Sequence, residues 1–276
     1  MDRPTELRQF FAHMVTANAG IPPGSAIEAA FASTPREQFV APPPWRVFTP
    51  RGYYETISAD PAYIYQDTVL ALGGDHPGLN NGQPTLHAYC IHTLGLKPGD
   101  RVVHIGAGTG YYTTLLAKLV GEAGHVTAFE IEPDLAARAK ENLAIFPHAA
   151  IESRSGAISP IPACNAIYIN AGATEPLSIW LDALEIEGRL LFPLTGPDGN
   201  GAMLLITRKE DGVYTARFLM PVAFVPCMGA RDKALEKQLS KALRNRDWQN
   251  VRFLHRNSEP AANCWLAGNG WWLATQ

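Results

Sequence analysis

Residues 101–130 constrain the fold more than any other stretch. An apolar run, Val102-Val103-His104-Ile105, ends in Gly106-Ala107-Gly108-Thr109-Gly110. A helix-like segment, Tyr111 to Val120, follows. A second apolar run, His125 to Phe129, then ends in the acid Glu130, twenty residues after the last glycine. Strand, tight glycine turn, helix and second strand place an adenosine-bearing cofactor over the strand ends, with the acid at the ribose hydroxyls. Glycine suits the turn because a side chain would block close approach of a ligand to the backbone.

Strand–helix alternation continues from Asp100. Strands fit 101–106, 125–130, 149–154, 165–171 and 188–194, with helices over 110–120, 133–145 and 175–184. Such alternation predicts a parallel sheet with right-handed crossovers. Residues 201–208 and 213–226 read as two sequential strands joined at Glu210-Asp211-Gly212, a hairpin signal. Upstream, Leu7, Phe10, Phe11, Met14 and Val15 repeat at helical spacing, Ser25 can cap a second helix through Phe31, and Pro84 can open a third to Leu94. Residues 41–62 read as irregular. Residues 67–83 carry turn chemistry at Gly73-Gly74-Asp75-His76-Pro77-Gly78 and Asn80-Asn81-Gly82. The expected division is an N-terminal helical and irregular segment over 1–80, a core domain over 81–229 and a C-terminal extension over 230–276.

The extension opens with a basic helix over 231–244, carrying Leu235, Leu239 and Leu243, and short strands fit 251–255 and 264–266. Between Arg231 and Arg256 stand eight Lys or Arg against three Asp or Glu. That surplus suits either a solvated helix face or a docking patch for an acidic peptide or another chain.

The chain has 276 residues and a net charge of −3, so no global electrostatic case for nucleic acid exists. Its apolar runs are shorter than a membrane span, and no apolar core follows a basic start at the N-terminus. Cys90, Cys164, Cys227 and Cys264 lack CxxC spacing and read as buried thiols of a cytoplasmic protein. His87 and His92 do not share a helix face as a ligand pair would, and no metal is expected.

The glycine spacing is GxGxG rather than the GxGxxG of dinucleotide sites, so NAD and NADP are not expected to bind. It resembles motif I of S-adenosylmethionine-dependent methyltransferases. Further pieces resemble the protein-L-isoaspartate O-methyltransferase family over roughly residues 5–229: Pro35-Arg36-Glu37-Gln38-Phe39-Val40, Tyr65-Gln66-Asp67, Gln83-Pro84, Asn170-Ala171-Gly172-Ala173-Thr174-Glu175-Pro176-Leu177, Leu190-Leu191-Phe192-Pro193-Leu194 and Phe224-Val225-Pro226. The resemblance implies a Rossmann-like methyltransferase fold, mostly parallel with an antiparallel hairpin at one edge. It implies S-adenosyl-L-methionine as cofactor, held by Gly106, Ala107, Gly108, Gly110, Glu130, Ile131, Ser155, Gly156, Asn81, Gln83 and His87. Asp67 and Gly82 fall on the substrate side. The substrate would be a carboxylate of a peptide or protein, an isoaspartyl residue in need of repair.

Four positions depart from the family pattern. Gly82 replaces a serine whose hydroxyl sits near the transferred methyl, His104 and Ser155 replace acids, and Met228 replaces a frequent threonine. If only one hydrogen bond is lost at Gly82, Gly82→Ser should restore part of an isoaspartyl rate. If the pocket serves another acceptor, a small molecule or a peptide natural product, it should not. A cofactor-binding scaffold with little turnover is the reading from a different class.

Overall fold

Side chains at the helix starts account for where the first elements begin. The Asp2 carboxylate accepts from Thr5 N–H at 3.0 Å and caps α1 (Arg3–Asn18). Ser25 Oγ accepts from Glu28 N–H at 3.2 Å and caps α2 (Ala26–Ala32). Residues 41–62, expected to be irregular, contain a hairpin of β1 (Arg46–Thr49) and β2 (Gly52–Glu55). These strands are too short for a period-2 pattern to be visible in the sequence. Pro84 then opens α3 (Pro84–Leu94).

The α/β run follows as β3 (Arg101–Ile105), α4 (Tyr111–Val120), β4 (His125–Glu130), α5 (Pro133–Leu143), β5 (Ala149–Ser153), β6 (Cys164–Ile169), α6 (Ser178–Ala183), β7 (Leu184–Thr195), β8 (Asn200–Glu210) and β9 (Val213–Ala223). The last elements are α7 (Lys233–Arg244), β10 (Phe253–Arg256), β11 (Cys264–Gly268) and β12 (Trp271–Ala274). The computed structural model describes residues 2–73, 78–158, 160–210 and 212–275. Residues 74–77 of the expected 73–78 turn and Asp211 of the expected hairpin lie outside the described residues.

The chain divides into two compact units. One comprises Met1–Asp100 and Ala107–Arg154, the other Arg101–Gly106 and Ser155–Gln276. In the first, β4 and β5 pair in parallel, Val126 opposite Ala149. Its core includes Phe11, Val15, Phe31, Leu94, Leu115, Leu116 and Phe129, all nearly inaccessible to solvent.

In the second unit the strands run in the order β11-β12-β10-β9-β8-β7-β6-β3. β3, β6 and β7 are parallel neighbours, and every pairing from β7–β8 outward is antiparallel. β3 and β6 are buried almost throughout, as parallel strands covered on both faces require. The sheet is therefore mixed rather than mostly parallel, and the β8–β9 hairpin is not at its edge. β9 would leave a row of backbone groups unpaired, and β10 from the extension takes them up, Leu254 opposite Tyr214. Trp180 is fully buried and donates from Nε1 to Gly156 O at 3.0 Å.

All four cysteines are free; Cys90, Cys164 and Cys227 are buried and Cys264 is half-buried. Burial pushes the Cys164 and Cys227 thiols up to about 12, so both stay protonated. Among the described residues no helix is long and apolar enough to cross a membrane, and no cluster of His, Cys, Asp or Glu could hold a metal ion.

Arg231 ties the extension to the strand ends of its unit. Its Nη1 donates to Gly172 O at 3.1 Å and to Thr195 O at 3.0 Å, and its Nη2 to Gly196 O and Glu236 at 2.8 and 2.7 Å. Arg231→Ala removes all of these donors from a largely buried place. The expected loss is about 2–4 kcal/mol of stability, read by urea unfolding. A loss within error of zero would contradict this assignment.

Candidate active site

The glycine turn is held by the acid that ends β4. Glu130 is 6% exposed. Its Oε2 accepts from Gly108 N–H at 2.6 Å and its Oε1 from Glu132 N–H at 3.0 Å. Ala107 N–H donates to Phe129 O at 3.1 Å, and Gly110 N–H returns to Ala107 O at 2.9 Å. Burial raises the Glu130 pKa, while the N–H groups of Glu132, Gly108 and Ile131 pull it back. The carboxylate keeps acceptor capacity for a further donor. Ile131, next in the chain, is 44% exposed, an apolar surface beside that carboxylate.

Gly108 has a φ of +56°, and an added Cβ would stand 3.0 Å from Leu72 Cδ1. Leu72 belongs to the 67–87 segment, so that segment lies against the glycine turn. Arg138 Nη1 donates to Leu72 O at 3.0 Å and holds it there. Gly110 caps α4 and packs on Ala139. These residues fit an adenosine-bearing ligand: a buried carboxylate with spare acceptor capacity, a turn without side chains and an apolar neighbour.

The 80–84 loop is built from hydrogen bonds to short polar side chains. Asn81 Oδ1 accepts from Leu70 N–H at 2.8 Å, and Asn81 N–H donates to Leu70 O at 3.0 Å. Gly82 N–H donates to Asn80 Oδ1 at 2.9 Å. Asp67 Oδ1 accepts from Thr85 N–H at 2.9 Å, and its Oδ2 from Gln83 Nε2 at 3.2 Å. Asp67 therefore caps α3 from a distant part of the chain. Arg36 positions it in turn: buried at 1% exposure, its Nη1 donates to Ile64 O at 2.5 Å and Gln66 O at 3.0 Å. The guanidinium lies over the Phe11 ring at 4.9 Å.

Gly82 lies against the His87 ring. Its φ is +66°, and a Cβ built on it would overlap His87 Nε2 and stand 2.8 Å from His87 Cδ2. His87 is 2% exposed and stacks on Tyr112 at 3.8 Å between centroids. A serine at residue 82 would therefore require the imidazole or the loop to shift.

Gly106, His104, Ser155, Gly156 and Met228 belong to the second unit. Gly106 packs on the Asn170 backbone. His104 is fully buried, stacks on Tyr168, and accepts at Nε2 from Asn170 Nδ2 at 2.8 Å. Burial holds its pKa down to about 3, so the imidazole is neutral at pH 7. Ser155 Oγ donates to Met228 O at 3.2 Å and accepts from Ala157 N–H at 3.1 Å. Gly156 O accepts from Trp180. The Arg36, Leu72 and Asn170 contacts escaped sequence reading. The motifs around Arg36 and Asp67 were visible, but nothing local says that they touch.

A family model described as Protein-L-isoaspartate(D-aspartate) O-methyltransferase (PCMT) matches residues 15–232. A protein-L-isoaspartate O-methyltransferase of Ignicoccus hospitalis is 31% identical over 166 residues, covering 59% of this chain and 77% of that protein. Protein-L-isoaspartate O-methyltransferase 2 of an Anaeromyxobacter species is 31% identical over 230 residues, covering 80% and 83%. A solved beta-aspartate methyltransferase (PCMT) from Plasmodium falciparum, in complex with S-adenosyl-L-homocysteine, superposes with a TM-score of 0.63 at 21% identity, covering 80% of this chain and 98% of that one. Another solved structure, a protein-L-isoaspartate O-methyltransferase, gives 0.68 at 24%, covering 85% and 69%. The two structures establish the fold.

Asp67→Ala should cost about 0.5–2 kcal/mol, the usual worth of a helix cap, and should speed amide exchange at Thr85. Unchanged exchange at Thr85 would remove the capping role.

Proposed function

Because the chain belongs to the protein-L-isoaspartate(D-aspartate) O-methyltransferase family, we propose that it methylates a free carboxylate of a peptide or protein, the L-isoaspartyl carboxylate above all. The cofactor is S-adenosyl-L-methionine. The observation that carries the reading is the family match, together with the Glu130 carboxylate held at the glycine turn. Bound cofactor supplies an electrophilic methyl on a sulfonium sulfur.

The chain's own residues bind and align. Glu130 would accept from the ribose hydroxyls with the lone pairs that Gly108 and Glu132 leave free. Gly106, Ala107, Gly108 and Gly110 would keep side chains out of the cofactor's path, and Ile131 would flank its apolar face. On the acceptor side, Asp67 holds Gln83 and the start of α3, and so the course of Asn81 and Gly82. A carboxylate is ionised at pH 7 and already nucleophilic. It would act as the nucleophile toward the methyl that bound cofactor would supply, with the neutral thioether as leaving group, and no general base would be required. Alignment of oxygen, methyl and sulfur away from water supplies the rate.

Residues 81–229 would form the methyltransferase domain, with 1–80 packed on it and 230–276 as an extension; the family match covers residues 15–232, most of the N-terminal segment included. The free thiols suit a reducing compartment, the cytoplasm. The deciding experiment is methyl transfer from labelled cofactor to isoaspartyl and to normal aspartyl peptides. Transfer to the isoaspartyl peptide alone is expected. No transfer to either, with cofactor bound, would favour a small-molecule or natural-product acceptor, or a scaffold with little turnover.

Ribose hydroxyls favour the ionised form of Glu130. Affinity for S-adenosylhomocysteine should therefore fall as pH is lowered through the Glu130 pKa. Since burial raises that pKa, the fall begins above the ordinary carboxylate range. In Glu130→Gln the affinity should drop about tenfold or more, and the pH step should vanish. Calorimetry showing the same pH step in both proteins would overturn the assignment.

A further inference from the structure

We infer that the β1–β2 hairpin is a substrate-reading wall of the acceptor site, and that its Phe48–Tyr53 ring pair takes an apolar side chain of the polypeptide beside the methylated residue. The inference rests on the reading that the 80–84 loop borders the methyl acceptor. All the residues concerned belong to the first unit.

The register puts the hairpin and the loop on one surface. Residues opposite each other in paired strands share a face. Phe48 stands opposite Tyr53, Val47 opposite Leu70, and Ala71 opposite Asn80. Side chains alternate along each strand, so Tyr53, Phe48, Ala71 and Asn80 line the same face of a ladder that runs from β2 through β1 and residues 69–71 to Asn80. Backbone bonds fix this ladder: Phe48 N–H donates to Val69 O at 2.9 Å and Ala71 N–H to Arg46 O at 3.0 Å. A side-chain bond crosses it. The Asn80 side chain hydrogen-bonds the Tyr53 hydroxyl, and Asn80 Oδ1 accepts from Gly82 N–H at 2.9 Å. Asn80 is thus the joint between the hairpin and the acceptor loop.

Trp45 anchors the hairpin; it is buried, and its indole N–H donates to Ala41 O at 2.9 Å. Phe48, Tyr54 and Ile57 stay exposed. One exposed apolar residue is ordinary, but three within ten residues, beside an aromatic pair 5.3 Å apart, mark a contact surface. Its chemistry selects the occupant. Arg46 stands opposite Glu55, so their charges offset, and the Arg46 guanidinium already lies over the Tyr53 ring at 5.2 Å. Such a surface suits an apolar side chain better than an acidic one. A polypeptide whose carboxylate reaches the 80–84 loop meets this wall, because the two share a face.

The test uses the full chain and fluorescein-labelled isoaspartyl peptides that differ only in the two residues flanking the isoaspartate, leucine in one and serine in the other. Affinity is read by anisotropy with saturating S-adenosylhomocysteine, and kcat and KM by methyl transfer. The parent should favour the leucine peptide about tenfold in affinity and in kcat/KM. Phe48→Thr keeps strand propensity but removes the ring. It should cut the preference to within about twofold, through KM rather than kcat, with Tm and affinity for S-adenosylhomocysteine unchanged. Phe48→Leu should keep the preference. Phe10→Ala removes an exposed ring on α1 and should leave the preference at the parent value.

An undiminished preference in Phe48→Thr, no preference in the parent, or an equal loss in Phe10→Ala overturns the inference. If the parent transfers no methyl to either peptide, the functional reading fails. The anisotropy series then decides the role of the hairpin by itself, with equal or undetectable affinities for the two peptides overturning it.

Discussion

The buried carboxylate of Glu130 is the constraint on which the site depends. A carboxylate at this burial is tolerated only when hydrogen-bonded, and two backbone N–H groups, of Gly108 and Glu132, meet that need. The bond to Gly108 also ties the glycine turn to the end of β4, so ligand contact and turn geometry share one group. It selects ligand chemistry as well. A carboxylate at the mouth of the turn favours hydroxyl donors such as those of a ribose.

A second set of contacts connects motifs that are scattered along the chain. Arg36 grips the backbone at Ile64 and Gln66, Asp67 follows and caps α3, and α3 begins directly after Gly82 and Gln83. Tyr65 closes the set, accepting from Arg36 N–H and donating to Glu37. Pro35-Arg36-Glu37, Tyr65-Gln66-Asp67 and Gln83-Pro84 thus serve one purpose, the placement of the 80–84 loop. The departures from the family pattern are also accommodated inside the fold. His104 is neutral and bonded to Asn170, Ser155 bridges Ala157 and the Met228 carbonyl, and Gly82 lies against the His87 ring.

Most elements were legible in the sequence because their signals are local. The helix starts at Ser25 and Pro84 follow from capping chemistry, and β3, α4 and β4 from the switch between strand and helix periodicity. Other features left no local trace. The β1–β2 hairpin is four residues a side. The join of β10 to β9 depends on which strand edge was left unpaired, and so the mixed character of the sheet was missed. The space at Gly82 depends on a ring five positions away whose direction is set by Tyr112, on another helix.

By itself the sequence determined the order of strands and helices, the glycine turn with its acid, and the kind of cofactor that such a turn can hold. Those are properties of short segments, set by backbone sterics, periodicity and capping. Only the tertiary structure decided that Glu130 clamps Gly108, that Arg36 and Asp67 hold the 80–84 loop, and that His87 stands where a residue-82 side chain would go. Each of these is a contact between groups brought together by packing, and packing is a property of the whole chain rather than of any segment of it.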